Sequence, residues 1–126
     1  RSDCVFVVDA ELCEIKVEPS LVERAVSNLI SNAVKWSPIA GIVEVTVRDG
    51  NLTVRDYGPG IAREETELIF ERFFRSASAP SAEGSGLGLS IVRHIAESFG
   101  GSTYVVDHQG EGAAVALSFP LSRESL

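Results

Sequence analysis

A chain of 126 residues with 44% hydrophobic and 23% charged residues has the size and composition of one globular domain that can bury a core. Its net charge of -7 disfavours nucleic acid or an anionic membrane as the main partner, although backbone dipoles can still hold a small anion. The sequence has no apolar run of membrane-spanning length and no signal peptide, and because it begins with Arg1 and lacks Met we expect a fragment of a longer protein.

The first residues predict two short strands. Residues 4–8 and 12–17 are rich in β-branched and apolar side chains, and residues 9–11 would form the turn between them. Cys4 and Cys13 lie in apolar surroundings, so we expect buried, reduced thiols. The two Cys and two His of the chain are widely scattered, and they show no spacing typical of a metal site.

A long amphipathic helix follows. Ser20 stands three residues before Glu23, which is the spacing of a capping box, so Ser20 is the predicted N-cap. Apolar residues then recur with the helical period as far as Trp36, and Pro38 should end the helix there.

A polar stripe runs beside the apolar face of this helix. Asn28, Asn32 and Lys35 follow the i, i+4, i+7 spacing of one helix side. Asn is a mediocre helix former, so two of them within a helix indicate a polar task such as ligating a hydrated cation. The alternative is a solvated surface stripe.

Residues 42–57 predict a β-hairpin turned by Asp49-Gly50. In its second strand the alternation places Asp56 on the apolar face, where a carboxylate is costly without a partner. The alternative is that the strand has already ended, since residues 58–60 read Gly-Pro-Gly.

A short amphipathic helix is predicted over residues 64–75, with Phe70, Phe73 and Phe74 as core candidates and Arg72 facing solvent. The small, polar residues 76–83 predict a mobile loop that could serve as a lid.

Alternating glycines then lead into a second helix. Gly84, Gly86 and Gly88 would let the backbone approach a ligand, and a helix N-terminus directly after them favours an anion, most often phosphate. A P-loop is excluded because no glycine precedes Lys, and the dinucleotide fingerprint is excluded because Leu89 stands where its third glycine belongs. The alternative is a flexible Gly/Ser loop before an ordinary helix, which should end at residues 100–101.

Two final strands are predicted at residues 102–107 and 113–119. The element order favours an α+β, two-layer sandwich formed by residues 1–126 as a single domain. Its mixed, mostly antiparallel sheet would be covered on one face by helices, without a parallel βαβ ladder.

Four motifs together resemble the ATP-binding catalytic domain of bacterial sensor histidine kinases, in the ATPase superfamily shared with gyrase, mismatch-repair ATPases and a heat-shock chaperone. The motifs are Asn28–Trp36 (N box), Asp56–Ile61 (first glycine box), Ile69–Arg75 (F box) and Gly84–Leu89 (second glycine box). They occur in the family's order and span nearly the whole chain. The resemblance implies the Bergerat-type ATP-binding fold, with ATP and Mg²⁺ as ligands.

The resemblance also implies roles for the N box. Asn32 would coordinate Mg²⁺, Asn28 would support the metal site, Lys35 would reach phosphate and Trp36 would lie against the nucleotide. These are also the implied catalytic residues, apart from Trp36.

For the base, the resemblance implies that Asp56 accepts a hydrogen bond from the adenine amino group, with Gly58, Gly60 and Ile61 closing around the ring. The remaining implied nucleotide-binding residues are Phe73, Arg75, Gly84, Ser85, Gly86, Leu87 and Gly88. The family often has Thr or Ser where this chain has Ala113, so one hydroxyl contact is expected to be missing.

Hydrolases of the superfamily carry a general-base Glu at the position of Asn28, and an amide cannot take up a proton. The resemblance therefore implies phosphotransfer to a histidine on a separate dimerisation domain, with a response regulator downstream and a cytoplasmic location in a membrane-anchored parent. The alternatives are a nucleotide-responsive module without chemistry and an ATP hydrolase.

Overall fold

The computed structural model describes residues 4–10, 15–38, 41–74, 88–106 and 112–121. In chain order the elements are β1 (Val5–Ala10), α1 (Pro19–Trp36), β2 (Ile42–Arg48), β3 (Asn51–Asp56), two 3₁₀ turns (Arg63–Glu65 and Leu68–Phe70), α2 (Gly88–Ser98), β4 (Ser102–Val105) and β5 (Ala113–Ser118). The predicted α+β class with a mixed sheet is confirmed.

The sheet has five strands in the order β1-β2-β3-β5-β4. All neighbours pair antiparallel except β1 and β2, which are parallel, with Phe6 beside Val43. The sequence predicted a mixed sheet without a parallel βαβ ladder, and the described strands include a single parallel pair, for which α1 is the crossover between β1 and β2. This pairing joins segments more than thirty residues apart, and no local pattern reports it.

The core lies between the helices and one face of the sheet. Both helices contribute buried side chains to the same cluster as the central strands: Ala25, Leu29, Ala33, Val92, Ile95 and Ala96 from the helices, and Val43, Val45, Val54, Val115 and Leu117 from the strands. Burial of each of the larger side chains stabilises the fold by about 1.5–3 kcal/mol. Neither of the described helices is both long and apolar enough to cross a membrane.

The hairpin of β2 and β3 is confirmed. Asp49 and Gly50 both have positive φ, 50° and 82°, as the tight turn that matches the twist of a hairpin requires. Strand β3 also pairs with β5, from Asn51 beside Ser118 at one end to Asp56 beside Ala113 at the other. Asp56 therefore lies at the end of the central strand that is remote from the turn.

The start of the chain differs from the prediction. Strand β1 continues through Ala10, into the residues predicted to form the turn, because it pairs with β2 and Asp9 forms an ion pair of 2.7 Å with Arg48. No strand follows at residues 15–17, where Ile15 forms only an isolated bridge with Leu121. The rest of the predicted second strand, including Cys13, lies outside the described residues, whereas Cys4 is buried and free as expected.

The predicted helix over residues 19–36 is confirmed, but its predicted N-cap was wrong. Glu18 is the N-cap, and its carboxylate accepts the N–H groups of Ser20 at 3.3 Å and Leu21 at 3.1 Å. The Ser20 hydroxyl also donates to this carboxylate. Pro19 occupies the first helical position, which suits a residue without an N–H, and this places the cap one residue before it.

The predicted helix over residues 64–75 was also wrong. The chain forms two 3₁₀ turns, closed by i→i+3 bonds such as Glu71 N–H to the Leu68 carbonyl at 2.9 Å. The Thr66 hydroxyl donates to the Arg63 carbonyl at 3.0 Å, which competes with the helical ladder. Of the three core candidates, Phe70 is buried, Phe74 is half-buried and Phe73 is 62% exposed. The predicted lid, residues 76–83, lies outside the described residues.

Candidate functional site

The polar stripe of α1 faces the first turn of α2. The side-chain amide of Asn28 donates to the Gly88 carbonyl oxygen at 3.4 Å, across sixty residues of sequence. Gly88 is the first residue of α2, so this contact joins the N box to the end of the second glycine box. Asn32, one turn further along α1, is half-buried on the same side of the helix.

The C-terminal end of α1 lies against the turn that follows β3. A Cβ added to Gly58 would overlap the Trp36 carbonyl oxygen, so only glycine permits this approach. Trp36 is half-buried, and the Lys35 ammonium lies 5.6 Å from the centre of its ring, within the range of a cation–π contact. The predicted phosphate-binding and base-binding residues thus meet at the end of α1.

Asp56 is the last residue of β3 and is only 5% exposed. One of its carboxylate oxygens accepts the Gly58 N–H at 2.9 Å, which helps to offset the cost of burying the carboxylate. An ionised carboxylate has about four acceptor sites, so this bond does not exhaust its capacity for a ligand. The expectation that an acid points inward at this position is confirmed by its burial.

The other face of the same strand end is held by a polar cluster. The Tyr57 hydroxyl donates to the Glu44 carboxylate, and the Arg55 guanidinium lies 4.5 Å from the centre of the Tyr57 ring. The hydrogen bond to Glu44 raises the pKa of Tyr57, because ionising the phenol would remove its proton from the bond. These contacts brace the backbone on both sides of Asp56.

The described residues fit a magnesium ion that arrives with a nucleotide. Within the described ranges no group of three or more His, Cys, Asp or Glu side chains could hold a metal by itself. Mg²⁺ in nucleotide sites usually takes one or two protein oxygens, with phosphates and waters completing its shell. The amide oxygen of Asn32 could supply such a ligand, and Asn28 lies one turn earlier beside α2.

The remaining predicted residues fall into three sets. Gly60, with φ of 86°, and the half-buried Ile61, which packs against the core cluster, follow Asp56 in the turn. Phe73 has a positive φ of 64° and stands in solvent near Arg72 rather than in the core. Five predicted residues lie outside the described part of the chain: Arg75, Gly84, Ser85, Gly86 and Leu87.

Sequence reasoning missed Gly112 as a site residue. Its φ is 86°, and an added Cβ would overlap the carbonyl oxygen of Asp56. The signal was present as the Gly-x-Gly at residues 110–112, but only the fold brings this glycine to the backbone of the buried acid.

Residues 17–123 match the model of a family described as histidine kinase-, DNA gyrase B-, and HSP90-like ATPase. A signal transduction histidine-protein kinase/phosphatase MprB of Mycobacterium avium is 43% identical over 124 residues, covering 94% of this chain and 24% of the relative. The corresponding protein of Mycobacterium leprae is 46% identical over 112 residues, covering 85% and 22%. The chain thus spans about a quarter of the length of these curated relatives.

Solved structures of histidine kinases also match this chain. A mycobacterial sensor histidine kinase MprB superimposes with a TM-score of 0.87 at 42% identity, over 96% of this chain and 86% of that one. Full-length ShkA in complex with AMPPNP matches with a TM-score of 0.74 at 30% identity, over 94% of this chain and 25% of the larger protein.

Proposed function

Since this chain belongs to the histidine kinase-, DNA gyrase B- and HSP90-like ATPase family, and is the ATP-binding domain of a sensor histidine kinase, we propose that it binds ATP with Mg²⁺ for phosphotransfer to a histidine. The accepting histidine would lie on a separate dimerisation domain. The observation that carries the proposal is the buried carboxylate of Asp56 beside the end of the N-box helix.

Asp56 recognises the base in this proposal. Its carboxylate accepts a hydrogen bond from the adenine amino group, while Gly58, Gly60 and Ile61 close around the ring. Guanine presents a carbonyl oxygen at the corresponding position, and two acceptors facing each other in a buried site repel. A site built on such a bond rejects the wrong base strongly.

In this proposal the polar stripe of α1 binds the magnesium ion and the phosphates. Asn32 ligates Mg²⁺ through its amide oxygen, and Asn28 keeps α1 and α2 together through its bond to the Gly88 carbonyl. Lys35 neutralises phosphate charge, and the backbone N–H groups of residues 84–88 bind the phosphate oxygens. Mg²⁺, when bound, neutralises the charge that develops on the transferred group.

The reaction is an in-line displacement. A nitrogen of the accepting imidazole forms a bond to the γ-phosphorus, the bond from that phosphorus to the β–γ bridging oxygen breaks, and ADP leaves with the electron pair. The domain contributes positioning and charge neutralisation. An Asn at residue 28 cannot act as a general base towards water, which favours transfer over hydrolysis.

The parent protein follows from the same proposal. Residues 1–126 form its single ATP-binding domain, located in the cytoplasm, and the parent is a membrane-anchored sensor. The phosphorylated histidine passes its phosphoryl group to a response regulator downstream.

Calorimetric titration with a non-hydrolysable ATP analogue, with and without Mg²⁺ and against GTP, tests the proposal. We expect binding that prefers adenine and strengthens with Mg²⁺. Asp56→Asn should weaken ATP binding by about tenfold or more, because a hydrogen bond to a charged acceptor contributes about 1.5–3 kcal/mol.

Asp49→Asn is the matched control for this substitution. Asp49 is exposed in the turn at the other end of β3, and Asn tolerates its positive φ. The control should bind ATP as tightly as the unsubstituted chain. Unchanged ATP binding by Asp56→Asn would contradict the assigned role of the carboxylate.

A further inference from the structure

Gly112 and the Asp56–Tyr57 peptide are in closer contact than any residue with a side chain would allow. A Cβ on Gly112 would overlap the Asp56 carbonyl oxygen and would lie 2.7 Å from both the Asp56 carbonyl carbon and the Tyr57 Cα. Each of these neighbours is backbone, so none can rotate away. Gly112 also has a φ of 86°, which a side chain would strain further.

The contact lies where β5 begins. Ala113, the next residue, pairs directly with Asp56 in the antiparallel ladder of β3 and β5. The start of β5 therefore holds the Asp56 backbone in a fixed position relative to the core. On the side-chain side, Gly58 donates its N–H to the Asp56 carboxylate and has no room for a Cβ of its own.

Gly60 completes the arrangement. A Cβ on Gly60 would lie 3.1 Å from the Gly112 carbonyl oxygen, so the turn after β3 and the start of β5 touch twice. Gly112 is thus the glycine that meets the backbone of Asp56, while Gly60 lies against Gly112 and Gly58 lies against the Asp56 carboxylate.

We propose that Gly112 is a positioning residue for nucleotide recognition. Because it lacks a Cβ, the Asp56 peptide can pack against it, and this packing determines the position of the Asp56 carboxylate in the base pocket. This inference rests on the proposed function, because it assumes that Asp56 reads the adenine amino group. A side chain at residue 112 would displace the peptide and move the carboxylate out of hydrogen-bonding range, and small displacements of this kind are costly in preorganised sites.

The test compares ATP with purine riboside 5′-triphosphate, which has the same ring and phosphates but lacks the amino group. The unsubstituted chain should bind ATP more tightly than purine riboside 5′-triphosphate. Gly112→Ala should reduce this preference by about tenfold, towards equal affinities for the two nucleotides. A purely structural defect would weaken both nucleotides alike and leave their ratio unchanged.

Gly50→Ala is the matched control. Gly50 also has positive φ, 82°, and its Cβ would lie 2.5 Å from the Phe119 carbonyl oxygen. It stands at the opposite end of the same pair of strands, seven residues or about 23 Å away along β5. Gly50→Ala should lower the melting temperature and keep the nucleotide preference of the parent chain.

Gly60→Ala provides a second variant if Gly112→Ala does not fold: both glycines have a φ of 86°, but the 3.1 Å approach of Gly60 to the Gly112 carbonyl oxygen requires a smaller shift. It should reduce the preference for ATP to a lesser extent. An unchanged preference in the folded variant would overturn the inference while leaving the proposed function intact. Equal binding of the two nucleotides by the parent chain would instead overturn the assigned role of Asp56, and the inference with it.

Discussion

At the scale of single residues, Ala113 is the position at which this chain departs from the pattern that it otherwise follows. Ala113 is buried and stands directly opposite Asp56, so the two side chains lie on the same face of the sheet. A hydroxyl at this position would lie beside both the carboxylate and the proposed base pocket.

We therefore predict that Ala113→Thr tightens ATP binding by about threefold to tenfold, the contribution of one additional hydrogen bond. Titration with the non-hydrolysable analogue measures it. Ala114→Thr is the control, because Ala114 is equally buried in the same strand but lies opposite Arg55 on the other face. Equal or weaker binding by Ala113→Thr, with the melting temperature retained, would show that no hydroxyl is missing from the site.

At the scale of elements, α1 carries the N box, and Glu18 caps its N-terminus. The Ser20 hydroxyl, and then the Ser20 and Leu21 N–H groups, hold the pKa of Glu18 below its usual value of 4.5. A carboxyl group whose pKa is lowered by folding stabilises the fold above its unfolded pKa, and this contribution is lost as pH falls through the folded pKa.

We predict that Glu18→Gln lowers the melting temperature by about 2 °C at neutral pH, and that the difference shrinks as the pH falls below the usual glutamate pKa and through the lowered pKa of Glu18. Gln cannot titrate, although its amide oxygen can still accept one of the N–H groups. Thermal unfolding followed by circular dichroism between pH 3 and 7 measures the difference. Glu23→Gln, an exposed change later in the same helix, is the control, and a difference as large at pH 3 as at pH 7 would contradict the electrostatic account.

The elements also show what the sequence could and could not predict. The helix up to Trp36, the turn at Asp49-Gly50 and the stop of α2 before Gly100 depend on neighbouring residues, and all were predicted. The parallel pairing of β1 with β2 depends on contacts that no local pattern records, and it was missed. The cap at Glu18 was missed for another reason: the capping-box spacing was preferred over the signal of a proline at the first helical position.

Within the site, too, features that depend on neighbouring residues were predicted, whereas features that depend on long-range contacts were missed. The strand alternation predicted that Asp56 would be buried, because a period of two places it beside Val54 on the core face. The role of Gly112 depends on which strand neighbours β3, and a glycine in a final hairpin does not indicate that partner. Sequence patterns therefore predicted the burial of Asp56 more readily than the backbone neighbours that hold it in place.

At the scale of the whole molecule, the described histidine is badly placed to accept a phosphoryl group from this domain. His94 is exposed and lies six residues after Gly88, so it stands roughly 9 Å along α2 from the end that faces the N box. In-line transfer requires the attacking nitrogen within about 3–3.5 Å of the γ-phosphorus. The position of His94 therefore agrees with the proposal that the accepting histidine lies on another domain.

We predict that this chain with ATP and Mg²⁺ releases no phosphate above the uncatalysed background and labels none of its own histidines. Addition of the parent's dimerisation domain should transfer label from γ-³²P-ATP to that domain, and His94→Ala should transfer equally well. Asn28→Ala should reduce transfer, because it removes the side-chain bond between α1 and the Gly88 carbonyl. Steady phosphate release without an acceptor, abolished by Asn28→Ala, would mean that the domain is a hydrolase. The contrast between phosphoryl transfer and phosphate release thus tests the hydrogen bond from Asn28 on α1 to the first residue of α2.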